Sequence, residues 1–115
     1  MPKTTGPQTV ICTYRVRPGQ EKAFLGLLQR HWPTLRRLDL VTKDRAVVYR
    51  GLPAGPGQDA HAVGPSTFVE IFSWKDAQAV DAAHHSPELL QVWEPMGQLC
   101  ESMEFPHFER LLPGR

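Results

Sequence analysis

Two cysteines are all that the 115 residues contain. Cys12 and Cys100 lie far apart and show no metal-ligand spacing, so a disulfide framework is not expected and two buried, reduced thiols are. Excess charge is also missing. Thirteen Lys and Arg against twelve Asp and Glu give a net charge of +1, which provides no sustained field for nucleic acid or an anionic membrane. A small ligand or another protein is the expected partner, with no nucleic acid and no membrane. No apolar run approaches the ~20 residues of a spanning helix. The opening "MPKTTGPQTV" has no apolar segment of the secretory kind, so the expected location is the cytoplasm. Three sequence signals are absent as well: a Gly-rich phosphate loop, a His or Cys cluster at ligand spacing, and a nucleophile motif. Nucleotide enzymes, metalloenzymes and serine hydrolases therefore have little support, and no metal site is expected.

What is present fits one domain. With 41% hydrophobic and 22% charged residues, the chain is long enough for a real core and too short for two. In "TVICTYRV", Val10, Cys12, Tyr14 and Val16 alternate with Thr9, Ile11, Thr13 and Arg15, the period of a strand. "RPGQEK" turns out of it. Phe24, Leu27, Leu28, His31, Leu35 and Leu38 then recur at helical steps, with Pro33 expected to kink or restart the helix between His31 and Thr34. "RAVVYR" and "STFVEIFSW" read as two further strands. The Gly/Pro-rich segment 51–66 between them is a long hairpin loop, expected to be mobile and to supply no ladder hydrogen bonds. Ser73 with Asp76 suggests a capping box for a helix carrying Ala77, Val80, Ala83 and His84. Ser86 and Pro87 then open a second helical segment with Leu89, Trp93, Met96 and Cys100 inside. "MEFPHFERLL" reads as a fourth, edge-like strand, because Pro106 cannot donate to a central ladder.

The order β-α-β-β-α-β is the split βαβ pattern of a ferredoxin-like α+β domain, with a four-stranded antiparallel sheet and two kinked helices on one face. The domain spans 8–111, with flexible termini at 1–7 and 112–115. Val69 and Ile71 are apolar on one face of the third strand, Phe68 and Phe72 on the other. The face without helices needs a cover, and a second copy packed sheet on sheet provides one, giving a homodimer.

Two stretches resemble a known family. "YRVRPGQEKAFLGLL", residues 14–28, is similar to the first strand, Pro-Gly turn and first helix of the antibiotic biosynthesis monooxygenase family. "FVEIFSWKDAQAVDAAHHSPEL", residues 68–90, is similar to that family's third strand ending in Trp, its helix and its Ser-Pro turn. The resemblance covers most of residues 8–111. It implies a dimeric α/β barrel and activities that include cofactor-independent oxygenation of aromatic phenols and haem degradation. Trp74 falls on the family's strand-end Trp and Ser86 on the Ser of its turn. The family's helix His usually stands one residue before His84, where this chain has Ala83. The haem-degrading branch carries Asn where this chain has Cys12, and its helix Trp and following His match Ala83 and Trp93. Haem degradation is therefore disfavoured and no cofactor is implied. Asp39 stands where the family commonly has Gly.

Each candidate residue has a structural and a functional reading. His84 and His85 are surface residues near a helix end, or one faces a pocket as acid or base. As neighbours on a helix they point ~100° apart and cannot chelate one ion together. Glu70, inside an apolar strand, is either paired by Arg45 or Arg50 or serves as a base. Tyr14, His31, Tyr49, Trp74 and Trp93 are either core residues with satisfied polar atoms or the lining of a substrate site. Two functions follow. One is a cofactor-independent, monooxygenase-like enzyme acting on a small phenolic or quinone-type molecule. The other is a non-catalytic dimeric module that binds a small apolar ligand or a partner chain.

Overall fold

The alternation in the first strand sets the sheet. Val10, Cys12, Tyr14 and Val16 are all buried, whereas Thr9, Ile11 and Thr13 on the opposite side are only half-buried. The computed structural model describes residues 6–57 and 61–113. Its elements are β1 (Gln8–Val16), α1 (Glu21–Arg37), β2 (Val47–Arg50), β3 (Thr67–Trp74), α2 (Ala77–Ala83), α3 (Pro87–Leu99), β4 (Cys100–Glu104) and β5 (His107–Phe108). The strands form one antiparallel sheet in the order β2-β3-β1-β4, with β5 also on β1. This is the ferredoxin-like α+β arrangement, with a fifth short strand and a third helix added to the expected set. Most of the expected flexible termini, at 1–5 and 114–115, and residues 58–60 of the expected mobile loop lie outside the described residues.

Local chemistry explains the joints. Between β1 and α1 the Gln20 N–H donates to the Arg17 carbonyl, and Gly19 has φ +90° after Pro18. That is a type II turn with Pro and Gly in their favoured places. Helix α1 runs unbroken through Pro33, without the expected restart. Pro33 is exposed, so the carbonyl it deprives faces water, while Phe24, Leu28, His31 and Leu35 hold the inner stripe. The helix ends in a Schellman motif: Leu40 N–H donates to Leu35 O and Asp39 N–H to Arg36 O. Asp39 takes the left-handed position at φ 60°, a conformation that Gly or a short polar residue adopts at least cost. Its carboxylate is held 2.8 Å from Lys75 Nζ.

Three details differ from the sequence expectation. The cap of α2 is Asp76, whose Oδ1 accepts from Ala79 N–H at 2.8 Å, rather than Ser73, whose hydroxyl meets Thr9 Oγ1 across the sheet. Cys100 does not continue α3 but opens β4 directly, and the final strand breaks at Phe105 and Pro106. The stem of the 51–66 loop carries ladder-type hydrogen bonds, from Gly51 N–H to Thr67 O and from Gly64 N–H to Leu52 O. Its two sides approach so closely that a Cβ on Gly51 would lie 2.2 Å from the Gly64 carbonyl oxygen. As expected, Ser86 caps α3, its Oγ accepting from Leu89 N–H at 3.3 Å, with Pro87 first in the helix.

Candidate active site

The inner faces of β1 and β3, with α1 and α3 packed over them, bring four chemistry-bearing side chains into one line. The register sets Cys12 opposite Glu70 and Tyr14 opposite Phe68, so Glu70 enters the core beside Tyr14. Its carboxylate is fully buried, yet neither Arg45 nor Arg50 pairs with it, in contrast to the sequence expectation. Arg50 sits across from Phe68 with its guanidinium carbon 5.1 Å from that ring, and Arg45 precedes β2. The partners of Glu70 are instead two uncharged donors. Tyr14 donates its hydroxyl to Oε1 at 2.7 Å, and His31 Nδ1 lies 3.0 Å from Oε1 and 3.1 Å from Oε2.

Trp93 completes the line from α3, its indole N–H donating to His31 Nε2 at 2.8 Å. The indole nitrogen is only a donor, so His31 Nε2 must be the acceptor and the ring proton must sit on Nδ1, directed at Glu70. The Glu70 carboxyl therefore accepts two hydrogen bonds in an apolar surround. Burying a carboxyl group is costly, and the two donors offset only part of the cost. Its neighbours register the field. Burial, followed by the charge of Glu70, pushes the Cys12 thiol up to about 12 and the Tyr14 hydroxyl far above the usual phenol range. Cys100 is raised to about 11, mainly by burial, and both thiols are free.

This relay borders a cavity of about 200 Å³ between the sheet, the helices and the β4–β5 segment. Tyr14, His31, Trp74, His84 and Trp93 all line it, and no Lys or Arg does. Trp74 contributes a buried indole N–H without a partner among the described residues. Exposed His84 stands at the mouth, its ring 5.3 Å from that of Trp93. Its Nδ1 donates to the Val80 carbonyl at 2.9 Å, which leaves Nε2 as an acceptor.

Glu70 is not among the lining residues, and two further expected residues lie elsewhere. His85 is exposed, bonds the Asp81 carbonyl and does not line the cavity. Tyr49 is 60% exposed; β2 places it opposite Val69, on the helix-free side of the sheet. Sequence reasoning did not assign Met96, Met103, Phe105 and His107 to the lining. Met103 and His107 pair with Tyr14 and Val10 across the ladder, a relation legible only once the register is known. Among the described residues no group of three His, Cys, Asp or Glu gathers to hold an ion, and no helix is long and apolar enough to cross a membrane.

No family model and no curated protein matches the sequence. Solved structures do match over nearly the whole chain. SnoaB from Streptomyces nogalater, described as a cofactor-independent oxygenase, is 20% identical with a TM-score of 0.69, over 95% of this chain and 99% of that one. The chain shares its fold. A candidate antibiotic biosynthesis monooxygenase from Nitrosomonas europaea gives 13% identity and a TM-score of 0.71, over 98% of each chain. Another from Bordetella bronchiseptica gives 17% and 0.70, over 93% of this chain and 99% of that one. The resemblance read from residues 14–28 and 68–90 therefore holds for the fold along the chain. Activity is a matter for the site itself.

Proposed function

We propose that the protein is a cofactor-independent oxygenase acting on a small phenolic or quinone-type molecule bound in this cavity. The observation that carries the reading is His31 on the wall of an apolar chamber, hydrogen-bonded to a buried Glu70 that does not itself line it. A carboxylate orienting an imidazole fixes its tautomer and stabilises the imidazolium formed when the ring accepts a proton. His31 Nε2 is the proton acceptor in this reading, with Glu70 acting through it. His84 at the mouth is the second candidate base, and His85 has no place in the chemistry. The free N–H of Trp74 is a donor suited to a developing oxyanion.

The chemistry closes without another reactant than oxygen. A hydroquinone or an activated methylene compound gives up a proton to the base, and the electron-rich anion combines with O2 to form a hydroperoxide. Loss of water then leaves a carbonyl, with one oxygen atom in the product and the other in water. The dry chamber protects the anion from reprotonation by solvent. A chamber of about 200 Å³ is somewhat larger than the ~150 Å³ apolar cavity known to hold benzene, which favours a one- or two-ring substrate.

The same proposal includes a homodimer. Ile11, Val69, Ile71, Val47 and Tyr49 share the helix-free face, and Val47 and Tyr49 are 46% and 60% exposed. The radius of gyration is 15.5 Å, against about 13 Å for a compact chain near this length. A second sheet packed on this face would bury it, and residues 8–111 form the single domain that does so. The expected cytoplasmic setting belongs to this reading too.

A second reading, a non-catalytic ligand-binding module, is favoured by one feature. The polar atoms linking Tyr14, Glu70, His31 and Trp93 already bond one another. Oxygen uptake with hydroquinones, 1,4-dihydroxynaphthalene and anthrones, compared with ligand-induced thermal shifts, separates the two. Uptake above the protein-free rate supports the oxygenase; thermal shifts without uptake support the module.

A further inference from the structure

We infer that Trp93 is a latch on the site's proton acceptor, and that the cavity selects neutral aromatic molecules bearing a hydroxyl, whose O–H takes the indole's place on His31 Nε2. The inference rests on the proposed role of His31 but concerns binding rather than oxygenation.

Three features lead to it. First, His31 Nε2 is an acceptor only, because Nδ1 holds the proton against Glu70 and Trp93 donates to Nε2 at 2.8 Å. A ligand that engages this atom must bring a donor. Second, the buried Glu70 carboxylate has no cation beside it among the described residues, and the lining contains no Lys or Arg. A carboxylate or phosphate ligand would lose its hydration there with no Lys or Arg in the lining to compensate, whereas an uncharged phenol carries no such cost. Third, Trp93 is half-buried and lines the cavity itself, whereas Tyr14, Glu70 and His31 are at most 3% exposed. It is the member of the line with room to move. Its ring lies 6.2 Å from that of His31 and 5.3 Å from that of His84.

A ligand hydroxyl therefore exchanges one hydrogen bond for another when it binds, and the cost of releasing the indole reduces its affinity. Trp93 acts as a positioning residue. It keeps the buried acceptor satisfied while the cavity is empty and yields only to a donor.

Calorimetric titration of 1-naphthol and 1-methoxynaphthalene into the wild type and Trp93→Phe tests this. The two probes share a ring system and differ in the donor. In the variant 1-naphthol should bind about fivefold tighter, the scale of one neutral hydrogen bond, while the affinity of the methyl ether stays unchanged. In the wild type the indole N–H proton resonance of Trp93 should move upfield with 1-naphthol and stay in place with the ether, a readout that does not depend on the variant folding. Equal changes for both probes, an unmoved indole resonance at saturation, or no binding of 1-naphthol would overturn the latch. If the naphthol pattern holds but no hydroquinone consumes oxygen, the oxygenase reading falls and the latch stands. If oxygen is consumed while Trp93→Phe treats both probes alike, the latch falls and the oxygenase stands.

Discussion

The two faces of the sheet are built from the same strands and solve opposite problems. On the inner face of β3, Phe68, Phe72 and Trp74 flank Glu70, and all four are buried beneath the helices. On the outer face Val69 and Ile71 are only half-buried, and Val47 and Tyr49 beside them are exposed. The covered face thus contains the costly polar group, and the uncovered face carries apolar surface. A fold optimised only for stability would do the reverse. In the proposed function Glu70 is there for what it does to His31, and a second copy covers the outer face.

The comparison can be broken first at Glu70. Glu70→Leu removes the acceptor of both Tyr14 O–H and His31 Nδ1–H, and should cost about 3 kcal/mol in urea unfolding. Removing the Tyr14 hydroxyl and the His31 imidazole as well, in Tyr14→Phe/His31→Phe/Glu70→Leu, should recover much of that loss, because the only donor then left without its acceptor in the network is the half-buried Trp93 N–H. If the triple variant is no more stable than Glu70→Leu, the network is a source of stability and the contrast between the faces loses its meaning.

On the outer face Ile71→Asp should leave the protomer folded but weaken dimerisation by about 100-fold or more, since it sets a charge in the centre of the apolar patch. Light scattering at micromolar concentration should report a dimer for the wild type and a monomer for the variant. A wild-type monomer would show that this face is stable in water. The smallest effect concerns neither face. Ser86→Ala should cost about 1 kcal/mol through the lost cap of α3, and an unchanged urea midpoint would show that Pro87 alone sets that helix start.

Much of this organisation is legible in the sequence, because it depends on short-range periodicity. The alternation of Val10, Cys12, Tyr14 and Val16 and the helical steps from Phe24 to Leu35 identify the buried faces without any knowledge of the fold. Local signals also mislead where two physical readings fit. Ser73 and Asp76 both lie where a cap is plausible, and the residues from Met96 to Cys100 suit a helix until the chain reverses into β4. The site was legible as a set of residues but not as an arrangement. Tyr14, His31 and Trp93 were named as a lining and Glu70 as a base, but their partnerships span 39 to 62 positions in the chain. Register decides them. Glu70 faces Val48 on β2, so the nearby arginines that seemed its natural partners are out of line with it. His84 and His85 could not be separated by composition; one additional residue past the end of α2 moves the side chain off the cavity mouth.

In the proposed reaction the buried Glu70 acts through His31, the base of the oxygenation. Initial rates of oxygen uptake by wild type and Glu70→Gln, at equal folded concentration and with the most active diol of the panel, test it most directly. Uptake should lie well above the protein-free rate for the wild type and fall by about 100-fold or more in the variant, the scale of a disabled general base. Equal rates for the two proteins, or no uptake above the blank by a wild type that demonstrably binds the diol, would contradict it.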